Sequence, residues 1–160
     1  LGCNPYNRDA VLTLYEIKKR EKTKPLPVIG YSKEELEKIA EFNPLEEKIA
    51  EKFWPGAITL ILKVKDREIQ KSLSLGEKIA VRVPNSKCAL SLLKECKLLV
   101  GTSANISGTE PFNDPKECDE NLTGYETTRI YAYLAERYLS FWFKKYSHPI
   151  EWPWTFVDLK

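Results

Sequence analysis

Apolar residues recur along the first hundred positions with two periods in turn, and this alternation limits the fold more than any single residue does. Ala10, Val11, Leu14 and Ile17 keep the spacing of one helix face, which predicts a helix over residues 9–20 with Asp9 placed to cap it. Residues 26–29 form a short apolar run closed by Gly30 and read as a strand. Ser32 with Glu35 three places on is a capping-box pattern ahead of Leu36, Ile39 and Ala40. Asn43-Pro44 with Glu46 opens another helix, carrying Leu45, Ile49 and Phe53. Trp54-Pro55-Gly56 ends it, and residues 57–65 start apolar on both faces, the mark of a central strand. Ile79, Val81 and Val83 alternate with Lys78, Ala80 and Arg82 in a second strand stopped by Pro84. Residues 86–95 return to the helical period with Ala89, Leu90 and Leu93 on one face, and residues 98–100 are again a strand. Asp114-Pro115 with Glu117 predicts a short helix ending near Gly124, while residues 127–134 fit strand or helix equally. Helices and strands that alternate bury their apolar faces against one another, so the class is α/β with a mixed sheet.

The chain has 160 residues, 42% of them hydrophobic and 30% charged, which fits one globular domain with a real core. No apolar run approaches the roughly 18 residues of a membrane span. The formal net charge of +2 gives no global basic field toward nucleic acid. Charge is local instead: between Arg8 and Lys24 lie six basic residues against three acidic ones, readable as a solvated helix end or as a phosphate-facing patch. Cys3, Cys88, Cys96 and Cys118 have no C-x-x-C spacing and a single histidine, His148, stands alone, so no metal site is expected and the thiols read as reduced and cytoplasmic. The absence of methionine and the opening Leu1-Gly2-Cys3 predict that N-terminal sequence is missing. Residues 125–160 hold 11 of the 18 aromatic residues and set that tail apart in composition.

Four constellations could carry chemistry. Lys18 and Arg20 sit where a helix gives way to a loop, followed by Lys24-Pro25-Leu26; a lysine point charge and an arginine fork placed there can converge on a polyphosphate. Residues 101–108 (GTSANISG) follow a strand with small polar residues whose amides and hydroxyls can approach a nucleotide closely, or simply turn the chain. The loop lacks the Gly-Lys-Ser/Thr ending of a Walker A motif and is not G-x-S-x-G, so Ser103 is no obvious esterase nucleophile. Arg82 lies on the polar face of its strand, either as an edge residue or pointing into a cleft toward a carboxylate. Phe53-Trp54-Pro55-Gly56 reads as core and turn geometry.

Taken together and in order, Leu1-Gly2-Cys3-Asn4, the Lys18-Lys19-Arg20 element with Lys24-Pro25-Leu26, FWPGAITLIL from Phe53, IAVRVP from Ile79 and VGTSANISG from Val100 resemble the YrdC-like family of threonylcarbamoyl-AMP synthases. The likeness covers residues 1–115 of a single domain over residues 1–160, with residues 125–160 divergent. It implies a twisted mixed sheet with flanking helices and a large basic cavity. It also implies ATP-dependent synthesis of L-threonylcarbamoyl-AMP from L-threonine and bicarbonate, with release of pyrophosphate. A threonylcarbamoyl transferase complex would then modify tRNA with the product. By the same resemblance Lys18 and Arg20 are catalytic and meet the phosphates and carbamate. Ser103, Asn105 and Thr102 hold ATP, Arg82 and Lys24 face the substrate, and Mg2+ arrives with the nucleotide.

The family has a strand ending in a Pro-Thr-Asp/Glu-Thr-Val-Tyr-Gly run before the position of Leu1, whose threonine and tyrosine line the amino-acid pocket. Pro153-Trp154-Thr155-Phe156-Val157-Asp158 is similar to its Pro-Ser-Thr-Ile/Val-Val-Asp strand, with Trp154 replacing a ligand-facing serine. These departures predict a truncated or altered copy in which nucleotide binding outlasts threonine binding. Two other classes stand beside the synthase: a module binding tRNA or double-stranded RNA, which predicts steep salt dependence, and a catalytically impaired fragment that still binds nucleotide. A carbamoyl-adenylate domain of hydrogenase maturation ranks lower, because no cysteine-rich flank is present.

Overall fold

The computed structural model describes residues 1–111 and Leu122. Among residues 1–111, six strands and five helices follow one another as β1 (Gly2–Cys3), α1 (Arg8–Ile17), β2 (Val28–Gly30), α2 (Lys33–Glu37), β3 (Ala40–Glu41), α3 (Pro44–Phe53), β4 (Leu60–Val64), α4 (Arg67–Ser72), β5 (Lys78–Arg82), α5 (Lys87–Cys96) and β6 (Leu98–Gly101). The strands form one sheet in the order β1-β6-β2-β5-β4-β3. Among the described strands only β2 and β5 run parallel; the other pairs are antiparallel, so the sheet is mixed, as the sequence predicts.

The strand period decides which face is covered. Val28, Val81, Val100, Leu62 and Ile79 are nearly inaccessible and pack with Leu14 and Ile17 of α1, Leu36 of α2, Ile69 of α4 and the loop residue Leu26. Each such side chain contributes about 1.5–3 kcal/mol by leaving water. Their neighbours Ile29, Arg82 and Leu99 point the other way and are half-buried. These three align across β5, β2 and β6, because Ile29 is in register with Arg82 on one side and Leu99 on the other.

Several local expectations are corrected. Asn7, not Asp9, caps α1: its side chain accepts from the amides of Asp9 and Ala10, leaving Asp9 in the first turn beside the positive end of the helix. Ser32 makes no cap bond, and the Glu34 carboxyl is held below its ordinary range by a hydrogen bond from the Ser32 side chain. α2 ends at Glu37, and Ile39 and Ala40 reach the core from beyond it. The helix opened by Asn43-Pro44 forms as predicted, and Asn43 and Glu46 close a capping box at its start. β4 occupies only residues 60–64 and lies next to the edge strand β3, with Ile61 67% exposed, so it is not buried on both faces. β1, β3 and α4 were not anticipated; α4 has a legible signal in Asp66, which caps it through the amides of Glu68 and Ile69.

The expected helix near residues 114–124 falls outside the described residues except for Leu122, which is helical and buried against the core. Residues 127–134, Cys118, His148 and the Pro153–Asp158 motif also lie outside them. Among the described residues no helix is long and apolar enough to cross a membrane.

Candidate functional site

The C-terminus of α1 sets the geometry of the first cluster. Lys19 adopts φ +47°, and the amides of Lys19 and Arg20 donate back to the carbonyls of Glu16 and Tyr15 at 3.0 and 2.9 Å. This is a Schellman stop with Lys19 at its left-handed position. It makes Lys18 the last residue with helical backbone and turns the chain away at Arg20, so the two cations leave the helix in different directions.

Lys18 goes inward. It is 1% exposed, and its Nζ donates to the Ser103 carbonyl at 2.6 Å, the Asn105 carbonyl at 2.8 Å and the Asn105 side-chain oxygen at 2.9 Å. An ammonium so deeply buried is tolerable only when its donors are met by oxygens. The Lys18 carbonyl also accepts from Ser107 N–H at 2.8 Å, so one residue grips the loop by both side chain and backbone.

The loop itself is organised by Asn105, which is buried. Its Oδ1 accepts from Ser103 Oγ at 2.6 Å as well as from Lys18, and its Nδ2 donates to the Thr109 carbonyl at 2.5 Å. With both ends of the amide engaged, its orientation is set by the network. Gly108 sits at φ +91°, a conformation that favours glycine, and lets the chain double back so that Thr109 N–H meets the Ile106 carbonyl. Thr102 continues the β1–β6 ladder: its amide donates to the Leu1 carbonyl at 2.9 Å and its carbonyl accepts from Leu1 N at 2.7 Å. Ser103 is exposed on top of this frame.

Arg20 goes outward into a second cluster. Its Nε and Nη2 donate to the carbonyls of Lys24 and Pro25, each at 3.1 Å, and Tyr15 Oη donates to the same Lys24 carbonyl at 3.1 Å. Burial raises the Tyr15 hydroxyl above its ordinary pKa and keeps it a donor. The Lys24 ammonium pairs with Glu21 at 3.2 Å in a largely solvated contact that adds little. Arg82 belongs to a third group, where its Nε donates to the Gly56 carbonyl at 2.7 Å. Two strand spacings, about 10 Å, separate the Arg82 row position from Leu99 on β6, three residues before Thr102.

Of the residues expected to act together, the structure thus joins Lys18, Ser103 and Asn105 by direct hydrogen bonds and Arg20 to Lys24, and sets Arg82 apart on β5. Ser107, Thr109 and Gly56 complete these groups through their backbones; the sequence offers Ser107 only as part of the 101–108 loop and Gly56 only as turn geometry, and does not single out Thr109, because no side-chain pattern reveals a backbone partner. Among the described residues no group of three or more His, Cys, Asp or Glu could hold a metal ion. An open groove of about 510 Å³ lined by Glu37, Glu41, Phe42, Glu47 and Lys65 lies at the far, β3 edge of the sheet from the Lys18 cluster.

An anchored small-residue loop with cations at hand can bind an anion through amides and hydroxyls. Comparison with known proteins gives this arrangement a context. The sequence profile of the Sua5/YciO/YrdC family, described as telomere recombination, matches residues 1–132. A threonylcarbamoyl-AMP synthase of Bacillus subtilis is 39% identical over 127 residues, covering 78% of this chain and 37% of the relative. A protein of Methanocaldococcus jannaschii named as a threonylcarbamoyl-AMP synthase is 36% identical over 124 residues, covering 76% of this chain and 57% of its own length. The chain thus spans between about a third and somewhat over half of these relatives. The crystal structure of P. abyssi Sua5 complexed with L-threonine superposes with a TM-score of 0.66 at 33% identity, covering 77% of this chain and 37% of that one.

Proposed function

This chain belongs to the Sua5/YciO/YrdC family, and on that footing we propose that it binds ATP and forms L-threonylcarbamoyl-AMP from L-threonine, bicarbonate and ATP. The observation that carries the proposal is the Lys18–Ser103–Asn105 network, which holds a loop of small residues in one conformation at the end of β6. The threonine complex of the P. abyssi relative supports the amino-acid half.

The chemistry asks little of a general base. Threonine amine and bicarbonate condense to a carbamate with loss of water, and a carbamate oxygen attacks the α-phosphorus. The bond to the bridging oxygen breaks and pyrophosphate leaves with its electron pair. The protein must bring two anions together and neutralise the charge that accumulates. In this reading Ser103, Asn105 and Thr102 hold the nucleotide, while Lys18 and Arg20 oppose the charge on phosphates and carbamate. For Lys18 to meet a phosphate directly it must exchange one of its three loop oxygens for a phosphate oxygen. Arg82 and Lys24 face the amino-acid substrate. Magnesium enters as part of the nucleotide, held mainly by phosphate oxygens. The product would pass to a threonylcarbamoyl transferase complex that modifies tRNA in the cytoplasm.

Pyrophosphate release from ATP, with threonine and bicarbonate omitted in turn, tests this directly. Release that requires both is the expected result. ATP binding without release would leave a nucleotide-binding domain and refute synthesis by this chain. Binding of tRNA that weakens steeply with salt, with no ATP bound, would refute the reading in favour of an RNA-binding module.

A further inference from the structure

The Arg82 guanidinium is held from behind. Its Nε–H donates to the Gly56 carbonyl at 2.7 Å, and the Gly56 N–H donates at 2.9 Å to the carbonyl of Val83. One turn residue is therefore hydrogen-bonded to two consecutive residues at the end of β5. The turn that carries Gly56 is itself pinned. Trp54 Nε1–H donates to the Ile58 carbonyl at 2.6 Å, and the Trp54 ring stands edge-on to Phe42 with centroids 6.1 Å apart. Gly56 is also sterically required: a Cβ built there would lie 2.0 Å from the Phe53 carbonyl oxygen, which is backbone and cannot swing aside.

A guanidinium is planar, and Nε–H lies in that plane, so fixing its acceptor sets the direction of the two terminal nitrogens. Among the described residues those nitrogens have no hydrogen-bond partner and no carboxylate within ion-pair distance. They belong to a half-buried residue on the face of the sheet opposite the packed core, in the row with half-buried Ile29 and Leu99. An arginine oriented before binding loses less rotamer freedom when a planar carboxylate arrives, and its fork is matched to two oxygens at once.

We propose that Gly56 is a positioning residue: its carbonyl sets the plane of Arg82 so that the Nη fork receives the carboxylate of the amino-acid substrate. The inference rests on the reading that Arg82 faces that substrate, and it extends the site to the Trp54-Pro55-Gly56 turn, whose sequence suggests only turn geometry.

The test titrates L-threonine and ATP separately into the 160-residue chain, as wild type, Gly56→Ala, Arg82→Gln and the double variant. Gly56→Ala is expected to weaken threonine by about tenfold, the scale of one charge-assisted contact, and to leave ATP affinity within about twofold. In the Arg82→Gln background the same change should add nothing, because its effect runs through Arg82. Losses that add in the double variant, or threonine affinity unchanged in Gly56→Ala, overturn the proposal. Should Gly56→Ala fail to fold, Trp54→Phe keeps an aromatic ring but removes the bond to Ile58. It should weaken threonine by about threefold in the wild-type background and not in Arg82→Gln, and equal affinities again overturn the proposal. A wild-type chain that binds ATP but no threonine removes the Arg82 reading and this inference together. A wild type that binds threonine alongside unaffected variants removes the inference alone.

Discussion

Replacing Lys18 with methionine keeps most of the side chain's length and apolar stem while deleting the ammonium, and the structure allows the consequence to be worked out oxygen by oxygen. Among the described residues, three acceptors lose a donor: the carbonyls of Ser103 and Asn105 and the Asn105 Oδ1. The Ser103 carbonyl is only partly buried, so water can replace the lysine there. Asn105 Oδ1 keeps the Ser103 hydroxyl at 2.6 Å. The Asn105 carbonyl is left buried with its lysine bond gone, which costs about 1–3 kcal/mol, and the lost charge-assisted bond to Oδ1 adds about 1.5–3 kcal/mol. Methionine no longer requires an ammonium to be taken out of water, and this offsets part of the loss. The net expectation is destabilisation by about 3 kcal/mol, or a fall in Tm of about 6–12 °C for a domain of this size. Thermal unfolding followed by circular dichroism reads it, and an ATP titration below the transition should show weakened binding as the loop loses its anchor. A Lys18→Met protein melting within about 2 °C of wild type would refute the claim that this ammonium holds the loop together.

Arg20 lies on the outer side of the same helix end, so Arg20→Ala should weaken ATP by about 1.5–3 kcal/mol in isothermal titration with little change in Tm, and unchanged affinity would remove it from the site. Lys19 occupies a left-handed position that costs a side-chain-bearing residue roughly 1 kcal/mol, so Lys19→Gly should raise Tm slightly; a fall would show that the helix stop is held by something other than backbone geometry. Burial pushes the Cys3 thiol up from 9.0 to about 12, against a smaller opposing effect of the Leu1 amino group. Its folded-state value lies above its unfolded one, so the associated stability is complete below about pH 9 and is lost as pH rises through about 12. Cys3→Ala should flatten the stability–pH slope across that window, and at pH 8 a thiol reagent should modify exposed Cys96 while sparing Cys3. A Cys3 that reacts as fast as Cys96 would contradict its burial.

The parts of this fold that periodicity could reveal were those whose stability is local or one-sided. The Ile79–Val81–Val83 alternation, the Asn43–Glu46 capping box and the apolar face of α5 each follow from a few neighbouring residues. β1 and β3, with two residues each, carry no period at all; they are strands only because β6 and β4 lie alongside to take their hydrogen bonds. The Ser32-x-x-Glu35 pattern opens a helix without forming the capping bond, since the motif specifies residue types and not the geometry that joins them.

The candidate site divides along the same line. Sequence alone determined which residue types were at hand: two cations two places apart at a helix end, a loop of small polar residues after a strand, an arginine on a strand's polar face, and an order of motifs that identified the family. Tertiary structure alone decided what those groups touch. It sent Lys18 into the 103–109 loop and Arg20 outward to the 24–25 backbone, because a left-handed residue between them ends the helix. It also made Gly56, a residue with no side chain to read, the partner of Arg82. Partners more than eighty residues from Lys18, or twenty-six from Arg82, are chosen by sheet order and by backbone carbonyls, and every residue presents the same carbonyl whatever its side chain.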